Sequence, residues 1–334
     1  MPTAIAAIRT FVAAELGPAL TGLGGALCVH SVFARAINLR VEGADLLVTL
    51  CPPGGGLLPQ AIGLRDAVDF LSWELAVGTR GRLGEDCLVL GNGRLRVDLR
   101  GAKRLPREPL PPLRVMGWAW EACVEGLATI QADRGCELSL AAVLGRSAAR
   151  GAMGERLAAS ARALGEDLAG RAAARRGAVG AEGEVATTAS GRDEESRAGL
   201  AAAVARLVGA GQGLTPSGDD YLCGLMAAAA CAATDGSGEG LLPVLAEAVE
   251  TSIGSTNEIS ASMLRCAGRG LFSPPLAAAA WALAEDDSAG ALRCIFRLAG
   301  LGHSSGADIA TGLLHGLGLF AVFAAKGQGP FAKV

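Results

Sequence analysis

The sequence predicts an α+β protein: a β-containing N-terminal domain over residues 1–112 and a larger, mainly helical C-terminal domain over residues 113–334. Three observations lead there. Cys87–Leu90 and Leu95–Leu99 flank Asn92-Gly93, and Asn-Gly supplies the two positive-φ residues of a type I′ hairpin turn. Four prolines (Pro106, Pro109, Pro111 and Pro112) then fall within seven residues and punctuate the chain. From Leu113 onward the apolar period becomes helical, with Trp118, Cys123 and Leu127 recurring on one side.

In chain order, residues 1–20 read as an amphipathic helix, because Arg9 and Glu15 interrupt the apolar run and leave no continuous signal-peptide core. Ala26–Phe33, Ala36–Val41 and Asp45–Leu50 read as strands, the last two separated by a turn at Glu42-Gly43. Cys51-Pro-Pro-Gly-Gly-Gly-Leu breaks the pattern, and Ile62–Val77 reads as a helix. In the second domain Ala-rich helices alternate with Gly-rich turns. Arg171–Arg197, polar and glycine-punctuated without a sustained period, reads as a mobile loop or a frayed connection inside the helical part.

Composition narrows the class of function. The chain has 334 residues, half of them apolar but only 4% aromatic, so its core relies on small side chains and close helix approach. The net charge of −3 and the lack of a basic cluster with interleaved aromatics argue against nucleic-acid binding. Tyr221–Ala233 and Leu313–Ala325 are the longest weakly polar runs, shorter than the roughly 18 residues of a membrane span. A soluble, cytoplasmic protein is expected. Nine cysteines without a C-x-x-C pair, and three histidines without shared spacing, predict no metal centre of the zinc type. A nucleophile elbow, a Walker A loop and a dinucleotide fingerprint are all missing.

The chemistry concentrates in Gly211-Gln-Gly213-Leu-Thr215-Pro-Ser217-Gly218-Asp219-Asp220, directly before an apolar helix. Thr and Ser favour N-caps and Pro the first helical turn. A helix start offers unpaired N–H groups and the positive end of a dipole, which suit phosphate and carboxylate. The Asp pair offers a proton acceptor, an anchor for amide N–H groups, or a magnesium contact. The chain also echoes itself: Ser217-Gly218-x-Asp220-x-x-x-Gly224-Leu225 matches Ser305-Gly306-x-Asp308-x-x-x-Gly312-Leu313. Two such starts facing one another make a polar cup lined by Ser217, Asp220, Ser305 and Asp308, with His303 and Ser304 at its lip. Ser-x-x-Asp is also a capping box, which is a purely structural reading. Capping does not account for Gly218, since glycine at a helix start costs about 0.5–1 kcal/mol relative to alanine; close backbone approach to a ligand does. The expected site therefore has Asp219, Asp220 and His303 as catalytic groups. Gly213, Thr215, Ser217, Gly218, Ser304, Ser305, Gly306 and Asp308 bind substrate, joined by Asn257 and Ser260 from the hydroxyl-rich segment Ser255–Ser262. Asn257 reads equally well as an N-cap. His315, on an apolar helix face, reads as packed, and His30, Ser31 and Asn38 as substrate or domain-interface residues.

GLTPSGDDYLCGL, TNEISASML with the following AGRG, GHSSGADIATGLLHGL and the earlier SVFARAINL together resemble the AllH-type family, long catalogued as a domain of unknown function. That family includes a subunit of oxamate carbamoyltransferase. The resemblance covers Ala26–Asn38 and, more firmly, Gly211–Gly316, and does not extend to Leu113–Arg197. It implies carbamoyl transfer between oxamate and phosphate in purine (allantoin) breakdown, with oxalurate and carbamoyl phosphate as reaction partners. It also implies an assembly with an FdrA-like subunit related to CoA ligases and with an AllG-like subunit. No residue roles are carried over from the family. The residues by themselves specify a small anionic, amide-bearing ligand, held by the Thr215–Gly218 backbone and hydroxyls while Asp220 orients or deprotonates the amine. No cofactor is required by this chemistry, although magnesium on Asp219 and Asp220 fits a second reading, a phosphotransferase or ligase-like enzyme. A third reading is a non-catalytic, metabolite-binding assembly subunit.

Overall fold

The computed structural model describes residues 8–53, 58–107, 109–112, 118–179, 189–233, 240–285 and 287–324. It has the α+β architecture expected, in two compact units, Met1–Glu108 and Pro109–Val334.

The first unit is a barrel. Its strands are β1 (Arg9–Leu16), β2 (Gly25–Phe33), β3 (Ala36–Val41), β4 (Leu47–Cys51), β5 (Ala61–Leu64), β6 (Arg80–Leu83), β7 (Cys87–Leu90), β8 (Leu95–Asp98) and β9 (Lys103–Arg104). The sheet order is β5-β4-β3-β2-β6-β7-β8-β1-β9, and β1 also pairs with β5, which closes the sheet and removes its free edge. Residues 9–12 of β1 run parallel to β8, and its second half turns to pair antiparallel with β5 across a bulge between Ala13 and Glu15. Alternate residues, including Leu27, Val29, Ile37, Leu39, Val48, Leu50, Ile62 and Leu64, fill the interior. The hairpin is as expected: Asn92 and Gly93 take φ of 56° and 87°, and Arg94 N donates to Gly91 O at 3.2 Å.

Neither helix expected in this unit forms among the described residues; of the first twenty residues, 1–7 lie outside them. The first twenty residues supply β1, because Phe11–Leu16 takes sheet partners on both edges and Ala13 and Leu16 are buried. Non-local pairing of this kind overrides the helical propensity of Ala and Glu. In Ile62–Val77, Ile62 and Leu64 enter the barrel core from β5. The rest reduces to a 3-10 turn at Phe70–Trp73, capped by Asp69, whose carboxylate accepts from Leu71 N at 3.0 Å. Of the proline-glycine breaker at 51–57, residues 54–57 lie outside the described residues.

The second unit is helical: α1 (Trp118–Arg134), α2 (Leu140–Val143), α3 (Gly151–Val179), α4 (Ala189–Ala205), α5 (Ser217–Ala233), α6 (Leu241–Ser252), α7 (Glu258–Gly268), α8 (Pro274–Ala284), α9 (Ser288–Ala299) and α10 (Ser305–Ala324). The loop expected at 171–197 is helical at both ends, since α3 reaches Val179 and α4 starts at Ala189; residues 180–188 lie outside the described residues. No helix among the described residues is long and apolar enough to cross a membrane.

Helices α5 and α10 form the axis of the unit, and glycine sets their spacing. A Cβ on Gly224 would overlap the Ile309 carbonyl oxygen and crowd Leu313 N; one on Gly312 would overlap the Tyr221 carbonyl oxygen and crowd Leu225 N. One turn further, Gly316 faces Ala228. The contacts advance together along both helices, so α5 and α10 run parallel, related by a local two-fold, with their backbones touching. The echoed motif in the sequence is thus a structural repeat, and both helix starts lie at one end.

Candidate functional site

At that end the two motifs interlock. Thr215 Oγ1, ahead of α5, lies 2.6 Å from Ser305 Oγ, the first residue of α10. Asp220 faces Ser305 and Thr215, and Asp308 faces Ser217 and Ser304, so each carboxyl looks across at hydroxyls that include one from the other copy. These hydroxyls are near enough to favour the charged carboxylate, yet none completes a well-formed hydrogen bond to it. All four oxygens of Asp220 and Asp308 are buried without a hydrogen-bond partner in the described structure. Burial, and then the charge of Asp308, push the Asp220 carboxyl well above the ordinary range. Burial holds Asp308 up at about 7, with Glu137 adding to the effect. No cationic side chain acts on either group among the described residues.

Asp219, although adjacent, has a different job. Successive helical residues point about 100° apart, and Asp219 turns toward α7. It accepts from Gly209 N at 2.8 Å, Ser260 Oγ at 2.7 Å and Thr256 Oγ1 at 2.5 Å. Burial raises its pKa, and these donors work against the rise. Both oxygens of Asp219 thus take donors from the chain itself and tie the start of α5 to Gly209 and to the start of α7. Asn257 and Ser260, expected on the substrate, are committed to the same scaffold. Asn257 Oδ1 caps α7 by accepting from Ile259 N and Ser260 N, and its Nδ2 donates to Leu214 O at 2.8 Å.

The two motif glycines also need correction. The space beyond Gly218 is filled by the Leu207 carbonyl, and its N–H donates to Ala210 O at 2.8 Å; Gly306 meets Leu298 in the same way and donates to Leu301 O at 3.0 Å. The backbone approaching these glycines is the chain's own. The Asp219 and Asp220 amides likewise donate to Pro216 O, so the helix start is largely self-satisfied. Free donors lie one step earlier. Gly211 and Gly213 take φ of 119° and 96°, and the amides of residues 211–214 donate to no backbone carbonyl among the described residues. Gly213 is exposed and Leu214, at 54% exposure, stands at the loop tip.

The structure thus gathers Thr215, Ser217, Asp220, Ser304, Ser305 and Asp308 at one point, with Gly213 in the loop above. His303 is exposed on the turn before α10. Sequence reasoning missed Glu137 and Gln131, which lie in Leu113–Arg197, where the family resemblance does not reach. Gln131 ties α1 to α10 through Thr311 Oγ1 at 2.8 Å while accepting from Leu140 N. Among the described residues no group of three or more His, Cys, Asp or Glu side chains is placed to hold a metal. A cavity of about 550 Å³ opens in the barrel unit between Leu20, Leu23 and Leu83. In the barrel, too, Ser31 Oγ lies 3.1 Å from His30 Nδ1 and accepts from Asn38 Nδ2, while Asn38 Oδ1 accepts from Thr49 Oγ1. That polar row satisfies itself across β2, β3 and β4.

His315 is a core residue, as expected, with Nδ1 2.7 Å from Tyr221 Oη. Burial, then the charge of Arg162, hold its pKa down at about 4 against an ordinary 6.5. Between these values the unfolded chain binds a proton that the folded chain refuses. Stability from this group therefore falls as pH drops from 6.5 to 4 and levels off below, by about 3 kcal/mol in all. Urea unfolding at pH 7 and pH 4.5 should show His315→Gln losing less stability on acidification than the parent; equal losses would contradict this.

Two family models match the chain, that of the oxamate carbamoyltransferase subunit AllH over residues 207–317 and that of the AllH family N-terminal domain over residues 7–104. The chain belongs to the AllH family. The AllH match spans both copies of the Ser-Gly-x-Asp motif together with α7, and the N-terminal match coincides with the barrel. No curated protein and no solved structure matches the chain. The AllH family bears the name of a transferase subunit, and the paired carboxyls lie within the part that carries this name.

Proposed function

We propose that this chain is the subunit of a cytoplasmic oxamate carbamoyltransferase that holds the small anionic, amide-bearing substrate at the paired starts of α5 and α10. The observation that carries this reading is the pair of buried, unpartnered carboxyls, Asp220 and Asp308, set among hydroxyls from both copies. An acceptor that is buried and unsatisfied costs about 1–3 kcal/mol or more, and a ligand rich in N–H groups relieves that cost.

Oxalurate, oxamate and carbamoyl phosphate each carry an NH2 group and an anionic end. On this reading the carbamoyl nitrogen donates to Asp220 or Asp308. The anionic end takes the free amides of residues 211–214 and the hydroxyls of Thr215 and Ser305. In the reaction the C–N bond between the carbamoyl carbon and the oxamate nitrogen breaks and a C–O bond to phosphate forms. The phosphate hydroxyl gives up its proton and the departing oxamate nitrogen gains one, so oxalurate and phosphate become oxamate and carbamoyl phosphate. The subunit's contribution is positioning and oxyanion stabilisation. FdrA-like and AllG-like subunits complete the assembly, and allantoin breakdown supplies the substrate.

The test is to combine the three subunits with oxalurate and phosphate and to follow carbamoyl phosphate. Carbamoyl phosphate forming only when this chain is present supports the reading. Turnover undiminished without it, or activity that needs ATP and ignores oxalurate, overturns it.

A further inference from the structure

We infer that Asp220 and Asp308 together hold one divalent hard cation, of the magnesium or manganese class. The two carboxyls are 1% and 0% exposed and their four oxygens lack any hydrogen-bond partner in the described structure. Buried carboxylates in proteins are paired, hydrogen-bonded or bound to metal, because an isolated one is costly to desolvate. Here neither of the first two remedies is complete. Among the described residues no cationic side chain acts on either group and Glu137 adds further negative charge beside Asp308; the neighbouring hydroxyls favour the charged forms, but burial outweighs them and no carboxyl oxygen has a fully formed hydrogen bond.

The donor set selects the ion. The polar side chains set against the two carboxyls are the hydroxyls of Thr215, Ser217, Ser304 and Ser305; the thiols of Cys223 and Cys136 also lie within electrostatic reach of Asp220 and Asp308, but burial pushes both thiols up and so disfavours the thiolate that binds metal. Soft metals prefer sulfur and imidazole, whereas magnesium, manganese and calcium take oxygen. Two negative charges match one divalent ion, and magnesium sites with one or two carboxylates typically leave positions for water and for phosphate oxygens. The ion also resolves a conflict in the site. Two carboxylates would repel oxalurate, phosphate or carbamoyl phosphate, and a bound cation makes the same place attractive to an anion. That last role rests on the carbamoyltransferase reading; the binding of the ion does not.

The experiment uses the full chain, stripped with chelator and returned to metal-free buffer. Millimolar Mg²⁺ or Mn²⁺ should raise its unfolding temperature by at least about 3 °C, since a ligand that binds only the folded state stabilises it. Mn²⁺ titration followed by electron paramagnetic resonance should report one tight ion per chain. Asp220→Asn and Asp308→Asn should each lose the tight site while unfolding cooperatively at or above the temperature of the metal-free parent. That control separates a lost ligand from a lost fold. No shift with either ion, or a shift that persists in both variants, overturns the cation. Carbamoyl phosphate formation at full rate in chelator would also overturn it while leaving the proposed function intact.

Discussion

Gly224→Ala and Gly312→Ala will each destabilise the helical unit by about 3 kcal/mol or more, near the upper end of overpacking costs. The added methyl on Gly224 meets the Ile309 carbonyl and that on Gly312 the Tyr221 carbonyl, so the obstacle is backbone rather than a side chain able to rotate away. Relief requires α5 and α10 to separate, which also pulls Thr215 from Ser305 and opens the carboxyl pair. Since one separation relieves both overlaps, the double variant should cost less than the sum of the singles, as expected for sites in direct contact. Denaturant unfolding of the three variants checks both points. Either single variant within about 0.5 kcal/mol of the parent would show that the helices are not backbone to backbone.

Asp220→Asn and Asp308→Asn carry the second large effect, with the opposite balance. In the assembled complex each should lower kcat/KM for carbamoyl transfer by about 100-fold or more, comparable to losing one preorganised electrostatic contact to a transition state. Neither should lower the stability of the metal-free chain, because the amide removes like-charge repulsion from a buried site. Loss of function with retained or improved stability is the usual mark of a site held in a state unfavourable to the fold. Loss of both together would instead mark the carboxyls as structural.

Features set by local chemistry were legible in the sequence. The Asn92-Gly93 turn needs only its own two residues, and the self-match between Ser217–Leu225 and Ser305–Leu313 located two helix starts that meet in space. Features set by distant partners were not. Residues 9–16 are a strand because β8 and β5 flank them, and nothing in their composition announces those partners. Gly218 suggests close approach of a ligand to the backbone, but what occupies the space beside it is the Leu207 carbonyl of the same chain. The Asp219-Asp220 doublet suggested two like groups; helical geometry sends one to Thr256 and Ser260 and the other to the opposing motif. Glu137 carries no motif of its own and comes near Asp308 only through the packing of the helices.

That the two copies of the motif act as one site is tested most directly by kcat/KM for carbamoyl phosphate formation in the reconstituted complex carrying Asp220→Asn, Asp308→Asn or both. If the carboxyls form a single site, the double variant falls no further than the weaker single variant, as for groups that work as a unit. Losses that multiply would mean two independent contributions, and a full rate in any of the three would contradict the paired helix starts as the working site.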